Sequence, residues 1–188
     1  MKILVIDNYD SFVYNLVYIL KKEKNCTVTV VKNDQINLND VNLFDKILLS
    51  PGPGIPKNAG LMNDLVKQFA ATKNILGVCL GHQSIGEIFN GTLHNLSEPL
   101  HGVTSRINVL INDILFNDIP NHFLIAHYHS WVVHQTKNSD FDVLAINTSN
   151  HIMAIKHKTY NVRGLQFHPE SILTEYGEKI IQNWVQLT

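Results

Sequence analysis

This sequence contains few cysteines and has almost no net charge. Its 188 residues include two cysteines, Cys26 and Cys79, and the formal net charge is −1. Two cysteines are too few for a disulfide framework, so we expect free thiols in a reducing compartment. A charge so close to zero gives no electrostatic basis for binding nucleic acid or an anionic membrane. Disulfide-built secreted modules and polybasic binding proteins are therefore not expected.

Long apolar segments, internal repeats and low-complexity tracts are also missing. The apolar run 3–6 ends at Asp7, far short of a signal-peptide core, and no other run approaches membrane-spanning length. Composition is that of an ordinary globular protein, with 45% hydrophobic and 16% charged residues. The length suffices for one well-packed domain. We therefore expect a single domain over residues 1–188, located in the cytoplasm and without a membrane partner.

Short apolar runs alternate with helical patterns in the first half of the sequence. Strands are predicted at 3–6, 27–31, 46–49 and 75–78, and helices at 12–22, 58–70 and after Cys79. Asp10 or Ser11 is the expected N-cap of the first helix. The alternation is typical of a parallel α/β sheet flanked by helices, whose ligands bind at the carboxyl ends of the strands.

The pattern changes between Thr92 and Arg163. Short runs at 103–110, 123–126, 143–146 and 152–155 alternate with turns, as in antiparallel strands. They form either an insertion or an extension of the sheet. A strand at 162–167 and a last helix over 175–187 complete the chain. The predicted fold class is α/β, with a central mostly parallel sheet, flanking helices and an antiparallel extension.

Cys79 lies where a buried strand turns into a helix, between Gly77 and Gly81. Such a tight turn brings backbones together, and only residues without a Cβ avoid the clash. Serine hydrolases with a G-x-S-x-G elbow expose their nucleophile in this way. The helix N-terminus favours a thiolate, and the Leu80 amide points toward charge developing on a bound carbonyl. A buried structural cysteine is the alternative, which the flanking glycines disfavour.

A cysteine nucleophile needs a base, and the base needs an orienting acceptor. His168 follows a strand and precedes Pro169, which favours an extended backbone. Residues two apart in an extended segment point the same way, so Glu170 is expected beside the His168 ring. A strand-end turn with incidental polar residues is the alternative interpretation.

Three prolines and two glycines occupy the segment 50–56, directly after a buried strand. They predict a rigid loop with unusual dihedral angles. Its amides could supply a second oxyanion donor opposite Leu80, and because Pro53 has no N–H the donor would be Gly52 or Gly54. Taken alone, the segment is equally well explained as a stiff turn.

These motifs follow one another as S-P-G-P-G, G-V-C-L-G-H-Q and G-L-Q-F-H-P-E-S. The order resembles the class I, triad-type glutamine amidotransferases, which have a flavodoxin-like fold. The stretches 7–12, 101–105 and 128–130 are similar to the glutaminase subunits of anthranilate synthase and aminodeoxychorismate synthase. The resemblance spans the chain from Asp7 to Leu173.

The resemblance implies that Cys79 is the nucleophile, His168 the general base and acid, and Glu170 its orienting carboxylate. L-glutamine would be hydrolysed to glutamate through a cysteinyl thioester, without a cofactor. The implied oxyanion hole consists of Leu80, Gly52 and Gly54. The implied glutamine-binding residues are Gly52, Pro53, Gly54, Gln83, His129 and Ser130.

The resemblance also implies a partner, a chorismate-binding large subunit, in a heterodimer or a higher assembly. That subunit would use the ammonia to make anthranilate or 4-amino-4-deoxychorismate, and the sequence does not separate the two. A non-catalytic regulatory subunit of the same complex is the alternative, but the three triad residues are all present. A stand-alone cysteine hydrolase such as a peptidase is disfavoured by Gln83 and the 50–54 loop, which fit glutamine recognition.

Two positions depart from the pattern of this family. Val103 follows His101-Gly102 and is expected to affect the partner-facing surface, whereas Trp131 is expected to alter packing near the substrate carboxylate. The histidines at 122, 127, 129 and 134 come without a cysteine pair or second carboxylate at ligand spacing, so no metal site is predicted. Cys26 is interpreted as a passive thiol.

Overall fold

The computed structural model describes residues 1–187. Its strands are β1 (Lys2–Asp7), β2 (Thr27–Lys32), β3 (Lys46–Leu49), β4 (Asn74–Val78), β5 (Thr92–Val109), β6 (His122–His134), β7 (Phe141–Asn147), β8 (Ile152–His157) and β9 (Val162–Leu165). Its α-helices are α1 (Val13–Lys21), α2 (Met62–Phe69), α3 (Leu80–Ile88) and α4 (Gly177–Gln186). Short 3₁₀ segments lie at Leu38–Leu43, Pro56–Asn58 and Ile114–Phe116. None of the helices within residues 1–187 is long and apolar enough to cross a membrane.

The strands form one sheet in the order β2-β1-β3-β4-β9-β8-β7-β5-β6. The pairs from β2 to β9 are parallel, as predicted for the first half of the chain. Successive side chains of β1 face opposite sides of the sheet: Ile3 and Val5 pack with α1 and α4, while Leu4 and Ile6 pack with α2. The sequence of such a strand is a continuous apolar run because helices cover both faces of the sheet.

The second half is an extension of the sheet, which decides between the two options left open by the sequence. From β9 to β6 every neighbouring pair is antiparallel. The predicted run 103–110 is only the end of β5, which is 18 residues long and pairs with β6 as a ribbon. The first part of β5 is mostly exposed and lacks an apolar alternation, so its strand character was not visible in the sequence. The register of the ribbon is irregular between Asn95 and Leu100 and between His101 and Val103, as at a β-bulge.

Three predicted helix starts were wrong. The N-cap of α1 is Phe12 rather than Asp10 or Ser11, and Asp10 instead accepts a hydrogen bond from the Phe12 amide at 2.7 Å. Helix α2 begins at Met62 rather than residue 58, because Gly60 has a positive φ of 52° after the 3₁₀ segment. Helix α4 begins at Gly177, since the preceding Tyr176 is left-handed with φ 59°.

A buried ion pair joins the two halves of the sheet. Arg163 on β9 donates from Nε and Nη2 to the Asp113 carboxylate, at 2.8 and 3.0 Å. Asp113 lies in the connection between β5 and β6. Burial by itself would raise the pKa of Asp113, but the hydrogen bonds and charge of Arg163 outweigh burial and lower it. The bidentate geometry fixes the β5–β6 ribbon against the parallel strands.

Candidate active site

Cys79 occupies a strained turn at the carboxyl end of β4. Its backbone has φ 51° and ψ −99°, although it is not a glycine, and it is the N-cap of α3. The Cys79 amide donates to the Leu165 carbonyl at 2.8 Å, which ties the turn to β9. Such conformations cost about 1–3 kcal/mol and persist where the surrounding structure imposes them, commonly at functional sites. The sulfur is thus presented at the N-terminus of a helix.

The flanking glycines are required by the close approach of backbones. A Cβ on Gly77 would lie 2.4 Å from the carbonyl carbon of Gly81, and a Cβ on Gly81 would lie 2.6 Å from the Cβ of Leu49. Both distances are far below van der Waals contact, and the atoms concerned are backbone or the base of a side chain. The physical reason given for these glycines on sequence grounds is therefore confirmed.

His168 and Glu170 form a buried pair after β9. The Nδ1 atom of His168 is 2.7 Å from Oε1 of Glu170. The segment after His168 is not extended as predicted: residues 169–170 form a turn, and the Ser171 amide donates to the His168 carbonyl at 3.2 Å. The turn, rather than strand alternation, brings the carboxylate to the ring.

The surroundings of His168 favour its charged form. Burial by itself lowers the pKa of the imidazole, but contacts with Cys79 and Glu170 outweigh it and raise the pKa to about 10. Within residues 1–187 the His168 Nε2 atom makes no hydrogen bond of good geometry, and its contact with the Cys79 sulfur is electrostatic. A positively charged imidazole is thus held beside the sulfur.

The loop after β3 is pinned by Asn8, a residue that the sequence reasoning missed. The backbone N–H of Asn8 donates to Ser50 Oγ at 2.9 Å, and the side-chain Nδ2 of Asn8 donates to the Ser50 carbonyl at 2.8 Å. A Cβ on Gly52 would lie 2.5 Å from the Asn8 Cβ and 2.9 Å from Cδ2 of Leu80, so the loop packs directly against both residues. Gly54 has a positive φ of 76°, in keeping with the unusual dihedral angles expected here. Only the position of Asn8 within the stretch 7–12 pointed to it.

A cavity of about 230 Å³ lies beside Cys79. Residues 99–101 of β5, together with Tyr128 and Trp131 of β6, complete its wall. The cavity is lined by all the residues predicted to bind glutamine, which are Gly52, Pro53, Gly54, Gln83, His129 and Ser130. Glutamine binding by them stays a prediction, but the structure places them together around one space.

Two further residues at the site were not singled out from the sequence. Gln166 is fully buried and donates from Nε2 to the Cys79 sulfur at 3.8 Å, and its Oε1 accepts from Gln83 at 3.4 Å. The ring of Tyr128 lies with its centroid 5.1 Å from that of His168. The signal for Gln166 was its position two residues before His168 in one motif, and for Tyr128 its place in the 128–130 stretch.

A second cavity, of about 400 Å³, reaches Cys79 and His168 from another direction. Its walls are the loop 9–12 and the segment 51–53, together with His101 and Tyr128. Cys79 therefore lines two cavities, one of which is also lined by the predicted glutamine-binding residues. Within residues 1–187, no three His, Cys, Asp or Glu side chains are grouped so that they could hold a metal ion.

The sequence of residues 4–187 matches the family Glutamine amidotransferase class-I. "Anthranilate synthase component 2" of Lactococcus lactis is 44% identical over 186 residues, which are 97% of this chain and 93% of the relative. "Aminodeoxychorismate/anthranilate synthase component 2" of Bacillus subtilis is 40% identical over 187 residues, covering 98% and 95%. A glutamine amidotransferase of Thermotoga maritima has the same fold, with a TM-score of 0.75 at 12% identity over 99% of this chain and 81% of that one. The predicted family and fold class are confirmed, and the chain belongs to the class I glutamine amidotransferases.

Proposed function

We propose that this chain, as one domain over residues 1–188, is the cytoplasmic glutaminase subunit of an anthranilate or aminodeoxychorismate synthase. Cys79, His168 and Glu170 hydrolyse L-glutamine to glutamate and ammonia. The observation that carries the proposal is the Cys79 sulfur on its strained turn, facing an imidazole whose far nitrogen is 2.7 Å from a buried carboxylate. The cavity lined by the predicted glutamine-binding residues opens beside that sulfur.

The reaction follows from these positions. The Cys79 thiolate attacks the side-chain amide carbon of glutamine, and the oxyanion that forms is stabilised by the Leu80 amide and the amides of Gly52 and Gly54. The C–N bond then breaks, and the His168 imidazolium gives its proton to the departing ammonia. His168, now neutral, takes a proton from water, which attacks the thioester and releases glutamate with the thiolate restored.

The partner is inferred from the second cavity and its rim. The relatives with matching sequences are named as second components of two-component synthases. We define the mouth surface as Tyr9, Val103, Ile172 and Leu173, which are 52%, 45%, 98% and 43% exposed. Tyr9 lines the second cavity, and the other three follow His101 or Glu170 by two or three residues in the sequence. Exposed apolar residues grouped near a reactive site are typical of a protein interface. Ammonia released to water would be protonated and lost as a nucleophile, so a chorismate-binding subunit docked here, in a heterodimer or higher assembly, would receive it directly.

The test is glutamate release from L-glutamine by the purified chain, alone and with each candidate chorismate-binding subunit. We expect release that depends on Cys79 and is stimulated by one partner, whose product identifies the pathway. Cys79→Ala should abolish glutamine-dependent synthesis and leave ammonia-dependent synthesis by the partner intact. Loss of both activities would show that Cys79 is structural, and folded chain without activity beside any partner would support a non-catalytic regulatory subunit.

A further inference from the structure

A row of buried polar groups runs from β5 to the wall of the predicted glutamine cavity, which His129 itself lines. Ser105 Oγ on β5 lies 2.7 Å from Nε2 of His127 on β6. His127 Nδ1 lies 3.0 Å from Nε2 of His129, and His129 Nδ1 lies 3.0 Å from the Trp131 carbonyl oxygen. His127 is 1% exposed and His129 is 6% exposed. We call Ser105, His127 and His129 the histidine brace.

The Trp131 carbonyl oxygen ends the row and determines the direction of every hydrogen bond in the brace. A carbonyl oxygen only accepts, so His129 must carry its proton on Nδ1 and donate to Trp131. In the neutral ring Nε2 of His129 is then an acceptor, which requires a donating Nδ1–H on His127. His127 Nε2 in turn accepts from the Ser105 hydroxyl. Both rings therefore hold the Nδ1–H tautomer, and the brace has one polarity from end to end.

The surroundings keep both rings neutral, as this arrangement requires. Burial, followed by the charge of His168 and then of His151, lowers the pKa of His127 to about 4. Burial, followed by the electrostatic effects of the neighbouring His127 and His168 rings, lowers the pKa of His129 to about 3 and outweighs its hydrogen bond to Trp131, which raises the pKa. A proton added to His129 would turn Nε2 into a donor facing the His127 Nδ1–H and would break the row.

The brace acts on the cavity through Gln83. The same Trp131 carbonyl also accepts from Gln83 Nε2 at 3.0 Å, so the nitrogen of that amide must face Trp131. The Gln83 Oε1 atom is then the group that this residue can present to the cavity it lines. Gln83 is linked through Gln166 to the Cys79 sulfur, which places its amide at the reacting end of the cavity.

We propose that Ser105, His127 and His129 are positioning residues that set the polarity of the glutamine cavity. By fixing the Trp131 carbonyl and the Gln83 amide, they direct a hydrogen-bond acceptor at the substrate's carboxamide N–H groups. That acceptor binds the amide of glutamine and repels the carboxylate of glutamate, so the brace determines discrimination between substrate and product. This inference rests on the proposed glutamine cavity.

The tautomers provide the first test, on the full chain with ¹⁵N-labelled histidine. Long-range ¹H–¹⁵N NMR spectra distinguish the Nδ1–H, Nε2–H and charged forms of each ring. We expect Nδ1–H for both His127 and His129 between pH 6 and pH 8. An Nε2–H tautomer or an imidazolium at either position would overturn the proposal.

The second test compares variants of the brace with a matched control. His127→Phe removes both hydrogen bonds, His127→Gln keeps one donor and one acceptor, and Ser105→Ala is a milder change that should not impair folding. His134→Phe is the control, because His134 lies on the same strand and is exposed. Loss of one such hydrogen bond is expected to raise the KM for glutamine roughly threefold to tenfold.

We expect His127→Phe and Ser105→Ala to raise KM, leave kcat within about twofold and strengthen inhibition by glutamate, with partial rescue in His127→Gln. The control should match the original chain. An unchanged KM in folded Ser105→Ala, or equal losses of kcat in His127→Phe and His127→Gln, would contradict the positioning role. If Cys79→Ala retained glutaminase activity the proposed function itself would fail, whereas an inactive Cys79→Ala with unaffected brace variants would refute only the brace.

Discussion

The imidazole of His168 lies between two groups that stabilise its charged form. Glu170 contacts Nδ1 at 2.7 Å, and Cys79 lies on the other side of the ring. The ring centroids of Phe12 and Tyr128 are 6.3 and 5.1 Å from that of His168, and these aromatic groups shield it from solvent. In the proposed reaction, this imidazolium is the acid that protonates the departing ammonia.

Replacing Glu170 by Gln tests how much of this charge comes from the carboxylate. Glu170 raises the pKa of His168, so Glu170→Gln lowers it, and the imidazolium is lost at a lower pH. We expect the alkaline limb of the kcat/KM profile for glutamate release to move toward lower pH. The loss of kcat/KM should be smaller than in His168→Ala, which removes a general acid and base typically worth 10²–10⁴-fold. An unmoved alkaline limb would mean that the carboxylate only orients the ring.

At the scale of elements, the junction of β4 and α3 leaves no free space. Gly77, Gly81 and Leu49 approach one another through backbone or Cβ atoms, so closely that a Cβ added to either glycine would overlap its neighbour. The position of the Cys79 sulfur is therefore set by how closely α3 approaches β3 and β4. A methyl group at this junction must displace the start of α3.

Gly77→Ala should show this displacement. Its Cβ would lie 2.4 Å from the backbone of Gly81, and we expect a destabilisation of about 1–3 kcal/mol together with a roughly hundredfold loss of kcat. Gly86→Ala, later in α3, is the control, because its Cβ would meet the side chain of Val133 rather than backbone. Urea unfolding and glutamate release measured on both variants separate the two effects. If both variants lost kcat to a comparable extent at equal stability, displacement of the start of α3 would not explain the loss in Gly77→Ala.

Local sequence chemistry predicted the elbow at Cys79 and the proximity of His168 and Glu170, although a turn rather than strand alternation joins that pair. The residues that were missed act through long-range contacts. Glycines at −2 and +2 report on the backbone around Cys79 alone. Asn8, in contrast, acts on Ser50, 42 residues away, and Gln166 reaches Cys79 across 87 residues. The start of α1 was also misplaced for a local reason, since Asp10 forms its own turn with the Phe12 amide instead of capping the helix.

At the scale of the whole molecule, the site is a product of the sheet topology. Strands β1, β3, β4 and β9 are parallel neighbours, so the segments that follow them lie together beyond the carboxyl ends of these strands. Those segments carry Asn8, the 50–54 loop, Cys79 and His168. The antiparallel ribbon adds the wall around His129 to Trp131, and the Asp113–Arg163 pair holds that half in place.

The same topology predicts where a partner binds. Ile172 is 98% exposed and follows Glu170 closely, whereas Leu43 is 64% exposed but precedes β3 and so lies at the opposite end of the parallel strands. Burying an isoleucine is worth about 1.5–3 kcal/mol, and a buried unpaired carboxylate costs more. Ile172→Glu is therefore expected to weaken binding of the chorismate-binding subunit by at least roughly tenfold, with Leu43→Glu unchanged, as measured by titration calorimetry. Glutamate release by the isolated Ile172→Glu chain should match that of the original, since the change lies on the mouth surface. Equal binding of the partner by Ile172→Glu and Leu43→Glu would place the interface elsewhere.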